Sequence, residues 1–172
     1  MSIKEQRVVD FMKSIQDENS EYYGGVVAYH QLALNLSLFI KLMKKKRLNT
    51  KDDKYTYDVM ILLAETLYND SIEFAEEDGT VFSRISSKQC DDNYIDSILK
   101  KQYAFILNLN GLKEYVAVLI QTSKGSIVED YKMISQAISS TKENVLGIIK
   151  YEQKKFQSED LRIEYSFKYS ML

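Results

Sequence analysis

The chain has 172 residues, 45% hydrophobic and 28% charged, which is enough apolar material for one substantial core in one domain. Its 23 Lys and Arg stand against 25 Asp and Glu, a formal charge of −2, so no global positive field exists to hold nucleic acid. The single cysteine, Cys90, has no internal disulfide partner, and the single histidine, His30, cannot build a His-rich metal site, so metal-free chemistry in a reducing compartment is expected.

Residues 1–17 carry charges throughout and lack the apolar run of a secretory signal. Elsewhere Lys, Asp and Glu interrupt the apolar stretches before the roughly 20 residues of a membrane helix. A soluble, cytoplasmic chain with no membrane partner is expected.

Proline is absent and there are only 6 glycines, so the punctuation of sheets and sandwiches is missing and long helices are the economical reading. The expected fold is all-α, a single-domain multi-helix bundle with long antiparallel helices across residues 1–172. Val8, Phe11, Met12 and Ile15 recur at helical spacing and predict a first helix from about Ile3 to Asp17. After Gly24-Gly25, Val26 to Met43 is apolar nearly all round, as suits a helix central to a bundle. Lys44-Lys45-Lys46-Arg47 closes it, with cations where the helix dipole favours them. Asn49-Thr50 and Asp52-Asp53 offer caps for a third helix, Tyr55 to Phe82. Further helices are predicted over Asn93–Leu109, Leu112–Thr122, Val128–Tyr151 and Ser158–Tyr169. Their breaks fall at Asn108-Leu109-Asn110-Gly111 and Ser123-Lys124-Gly125-Ser126. Tyr115 to Gln121 also has the β propensity for a strand.

Asp78 is the first candidate for chemistry. Helical steps back from it reach Phe74, Ser71, Leu67, Ala64 and Met60, so a carboxyl group stands on the stripe that faces the core. Burial there raises a carboxyl pKa toward the range useful for proton transfer near neutral pH. The competing reading makes Asp78-Gly79 a solvated turn that ends the helix.

Gly24 and Gly25 let backbone or ligand approach a helix start closely, or serve simply as a flexible start. Asn144 borders the stripe Ile134, Ile138, Thr141, Val145 and Ile148, where its amide can offer both donor and acceptor to a heterocycle. Asp130, near the start of the same helix, is either a further polar contact or a favourable partner of the helix dipole. No nucleophilic triad and no phosphate-binding glycine loop is present.

In order, these fragments resemble the cyclodeaminase/cyclohydrolase family of folate enzymes. That family is similar to the C-terminal domain of formiminotransferase-cyclodeaminase. The resemblance runs from about Val8 to Phe156. The family's Pro-Gly-Gly-Gly-Ser-Val-Ala-Ala segment corresponds to Tyr22-Tyr23-Gly24-Gly25-Val26-Val27-Ala28-Tyr29. Its basic stretch corresponds to Lys44-Lys45-Lys46, and its Asp-x-x-x-Phe to Asp78-Gly79-Thr80-Val81-Phe82. Its Ser-Asp and later Asn-Val correspond to Glu129-Asp130 and Asn144-Val145. The chain departs from the pattern at Tyr22, Tyr23, Val26, Glu129 and Ile148.

The resemblance implies a helical homodimer acting on a one-carbon-substituted tetrahydrofolate, without a metal or other cofactor. The reaction would be hydrolysis of methenyltetrahydrofolate or loss of ammonia from formiminotetrahydrofolate. Asp78 would be the catalytic acid/base, taking a proton from water and returning one to the departing nitrogen. Gly24 and Gly25 would shape the folate pocket, and Asp130 and Asn144 would bind the polar edge of the substrate. The departures imply an alternative: a catalytically inactive homodimer that binds folate or a protein partner.

Overall fold

The computed structural model describes residues 8–16, 24–50, 54–87 and 90–172. They form six α-helices and no strand: α1 (Val8–Gln16), α2 (Gly24–Asn49), α3 (Lys54–Ser86), α4 (Asp92–Thr122), α5 (Ile127–Glu152) and α6 (Glu159–Ser170). A 3-10 turn at Gln153–Lys155 joins the last two. The expected all-α bundle is therefore the observed architecture. The predicted ends of the first helix, the residues Tyr22 and Tyr23, and the caps Asp52 and Asp53 lie outside the described residues.

Cross-helix pairs give the order of the bundle. Between α2 and α3, Lys44 meets Glu65 at 2.9 Å and Arg47 meets Asp58, so position numbers run in opposite directions. Lys101 reaches Glu73 at 3.0 Å while Arg84 lies over the Tyr94 ring, which makes α3 and α4 antiparallel. Lys142 on α5 donates to Asn110 on α4 at 2.9 Å. The ring closes where Thr141 on α5 donates to the Ala28 carbonyl at 3.2 Å and Lys46 lies over the Tyr131 ring, setting α5 antiparallel to α2. The product is an up-down-up-down four-helix bundle of α2 to α5.

Its core follows the 3.6-residue period. On α2, Leu32, Leu36, Phe39 and Met43 are fully buried, and α4 contributes Leu99, Phe105, Ile106, Leu109 and Leu112. Tyr29, Phe74 and Phe105 pack mutually at centroid separations of 5.2–5.9 Å, the edge-to-face and tilted arrangement favoured by ring quadrupoles. By length and composition alone, α2 and α4 each hold a window apolar enough to cross a membrane, contrary to the reading that charges cut every such stretch short. Here both windows supply the bundle core.

Two helices predicted on either side of Asn108–Gly111 are one helix, α4. Leu109 and Leu112 are both buried, and their packing outweighs the penalty of about 1 kcal/mol that Gly111 carries in a helix interior. The strand alternative at Tyr115–Gln121 also gives way to helix, because Val116 and Leu119 reach the core at a spacing of three while Val118 stays exposed. The second predicted break stands: Gly125 takes a positive φ of 78° between α4 and α5.

At the end of the bundle, Asp92 accepts hydrogen bonds from the backbone N–H groups of Gln157 at 2.7 Å and Ser158 at 2.8 Å. These charge-assisted bonds tie the start of α4 to the start of α6. Asp92→Ala is expected to cost about 2 kcal/mol in chemical denaturation.

Candidate functional site

Antiparallel packing brings the first turn of α2, the last turns of α3 and the last turns of α5 to one end of the bundle. A cavity of about 480 Å³ opens there, lined by Gly24 and Gly25 from α2, Asp78, Phe82 and Ile85 from α3, and Glu143, Asn144, Gly147, Ile148, Tyr151 and Glu152 from α5. Gly24, Gly25, Asp78 and Asn144, all singled out in the sequence, thus share one concavity.

Asp78 does not end a helix, because α3 continues through Gly79 to Ser86. The stripe Leu67, Ser71 and Ala75 is buried beneath it, and that stripe aims Asp78 inward across the bundle at α2. Its carboxyl group lies flat against the Gly25 backbone: a Cβ at position 25 would stand 2.7 Å from Oδ2 and 2.8 Å from Oδ1. Only glycine leaves that space. Burial raises the Asp78 pKa above the ordinary aspartate value.

A second carboxyl group, Glu152, faces the same cavity and was not among the sequence candidates. It is 3% exposed, and its Oε2 has no hydrogen-bond partner among the described residues. Its pKa is raised to about 8, chiefly by desolvation; a hydrogen bond with Gln102 acts the other way, and the charge of Asp78 adds to the rise. The signal for it was present in the sequence, since Glu152 continues the stripe of Thr141, Val145 and Ile149. The predicted helix stopped at Tyr151, one residue short.

A second, smaller chamber of about 20 Å³ is also lined by Asp78 and Glu152, with Tyr29, Phe74, Gln102 and, on the side of the α3/α4 groove, Glu77, Val81 and Ile98. Asp78 and Glu152 therefore line both pockets. Burial, followed by the charges of Asp78 and Glu152, drives the Tyr29 hydroxyl pKa well above the usual tyrosine range, so Tyr29 remains a neutral donor.

The outer wall is flat and aromatic. Phe82 and Tyr151 stack at 5.8 Å with 25° between their planes, although they are 47% and 36% exposed. The Tyr151 and Ser86 hydroxyls are 3.2 Å apart, and Lys155 sits 4.5 Å over the Tyr151 ring. On the polar side, the Asn144 Oδ1 is buried without a partner among the described residues, and its Nδ2 lies 3.8 Å from where a Gly24 Cβ would be. An unpaired acceptor at the wall of a cavity is available to a ligand donor.

Asp130 does not join this group. It lies in the first turn of α5, 14 residues before Asn144, or about 21 Å along the helix, and does not line the cavity. The basic run lies at that far end too, where Lys44 and Arg47 pair with Glu65 and Asp58. Val26, at the family's serine position, is 1% exposed and packs into the core away from the cavity lining. Among the described residues, no group of three or more His, Cys, Asp or Glu could hold a metal ion.

The site thus combines two carboxyl groups, an unpaired amide oxygen and a flat aromatic wall, with no Lys or Arg among the described residues of its lining. Such a cavity suits a planar ligand carrying positive charge and able to donate hydrogen bonds. No protein-family model, curated protein or solved structure matches this chain.

Proposed function

We propose that the chain is a folate one-carbon enzyme that hydrolyses methenyltetrahydrofolate or deaminates formiminotetrahydrofolate. The observation that carries the reading is the inward Asp78 carboxyl group, seated on Gly25 in a cavity whose described lining holds no cation. Both substrates present a cationic N–C–N unit on a flat ring system. The motif order described above independently suggests the same substrates.

In hydrolysis, water attacks the bridging carbon of the cationic ring while Asp78 takes its proton, giving a neutral carbinol. The developing positive charge on water is met by a carboxylate already in place, so little reorganisation accompanies the step. Asn144 accepts from a ring N–H through Oδ1, and Phe82 with Tyr151 supports the ring face. Cleavage of one C–N bond then yields the formyl product. In solution the reading also carries a homodimer, so sedimentation is expected to show a species of twice the chain mass.

The test is the decay of methenyltetrahydrofolate absorbance in the presence of the purified chain. A rate above the spontaneous one is expected. A second reading, a bundle that binds folate without turnover, draws on the exposure of Glu143 and Gly147 in the cavity lining, which leaves the mouth of the cavity open to water. Saturable binding with decay equal to buffer selects that reading, and absence of binding removes both.

Two glycine substitutions sharpen the assignment. Gly25→Ala forces a Cβ into the Asp78 carboxyl group, while Gly24→Ala meets only Asn144 at an ordinary 3.8 Å. Displacing a reacting group by about 1 Å lowers a rate by up to about 10²-fold, so Gly25→Ala is expected to be slow and Gly24→Ala close to wild type. Thermal denaturation should show both variants folded, because the added Cβ meets only side-chain ends, the Asp78 carboxyl group at position 25 and the Asn144 amide at position 24.

A further inference from the structure

We propose that Glu152 and Asp78 form a dyad holding a single proton at neutral pH, with Glu152 as the acid and Asp78 as the base. The two side chains line both the open cavity and the smaller chamber, and Glu152 feels the charge of Asp78. Glu152 is almost wholly buried, and one of its oxygens is unpartnered. A carboxylate buried to that degree is shielded from solvent and has no ion-pair partner among the described residues; a carboxylic acid needs neither.

The surrounding groups point the same way. The chamber lining presents Tyr29 from α2, Glu77 and Asp78 from α3 and Gln102 from α4, while α5 adds Glu143 and Tyr151 at the cavity. The Cys90 thiol also feels the charge of Glu152. None of these is a cation. The nearby lysines are engaged elsewhere, Lys101 with Glu73 and Glu77, and Lys155 over Tyr151. The Gln102 Oε1, which has no hydrogen-bond partner among the described residues, is itself buried in the lining of the same chamber.

The division of labour rests on the hydrolysis reading. Asp78 keeps the proton of the attacking water. Glu152 gives its proton to the departing nitrogen as the C–N bond breaks, then regains one from the carbinol hydroxyl as the C=O bond forms. The proton on Asp78 leaves to solvent, which accounts for the one proton released when a cation and water become a neutral formyl product. The return proton, expected from Asp78 alone in the sequence, thus comes from its partner.

The test needs no substrate, so it fails or succeeds independently of the folate reading. Infrared difference spectroscopy of the intact protein reads the carbonyl stretch of a protonated carboxyl group. At neutral pH that band is expected, shifted by isotopic labelling of glutamate carboxyls and not of aspartate, and lost in Glu152→Gln. In Asp78→Asn the band is expected to disappear at lower pH than in wild type, because the neighbouring charge is gone. A missing band at neutral pH, a band moved by aspartate labelling, or a titration untouched by Asp78→Asn overturns the dyad. The labelled wild-type chain decides the presence of the glutamic acid even where a variant does not fold.

Discussion

Asp78→Asn is expected to slow methenyltetrahydrofolate hydrolysis by about 10²–10⁴-fold, the usual contribution of a positioned general base. The same substitution is expected to leave the protein at least as stable at neutral pH. Burial raises the Asp78 pKa, so folding disfavours its charged form, and a neutral amide of the same shape escapes that penalty. Removing the negative charge also relieves Glu152, whose pKa the Asp78 carboxylate raises. A slower yet equally stable variant separates a catalytic loss from a folding defect. If rate and stability fell together, Asp78 would be a structural residue that happens to face a cavity.

Glu152→Gln carries the largest expected effect on stability. The folded pKa of Glu152 is about 8 against an ordinary 4.5, so its contribution is fully present below pH 4.5 and is lost as pH rises through about 8. Across that window the unfolded chain is ionised and the folded one is protonated. At pH 7 the difference is about 3 kcal/mol, taking 1.36 kcal/mol for each pKa unit. Glutamine is neutral in both states, so Glu152→Gln is expected to be more stable at pH 7 by up to that amount. This corresponds to about 6–12 °C in Tm for a chain of this size. The pH dependence of wild-type stability between those two values should also flatten in the variant. A buried acid that lowers stability at neutral pH is a cost commonly found at functional sites.

The fold was legible because helical periodicity is a property of long segments. With no proline and strong apolar stripes, α2, α3 and α5 could be placed from residue spacing. Local punctuation misled only where packing overrode it, as at Gly111, where the buried Leu109 and Leu112 hold one helix together. Asp78 and Asn144 were readable because each sits on or beside a buried stripe of its own helix. Glu152 was lost to a one-residue error in a helix end.

Asp130 failed for a different reason. Order along a chain does not say which end of an antiparallel bundle a residue occupies, and the cavity gathers the start of α2 with the ends of α3 and α5. The close fit of Asp78 against Gly25 was also beyond reach, since spacing within one helix carries no register between two.

The dependence of kcat/KM on pH for methenyltetrahydrofolate hydrolysis tests the paired-carboxyl mechanism most directly, because it reports the ionisations of the free protein. A bell is predicted, with its acid limb set by Asp78 and its alkaline limb near pH 8 set by Glu152. A rate that climbs steadily into alkaline solution, as attack by hydroxide alone requires, would contradict the mechanism.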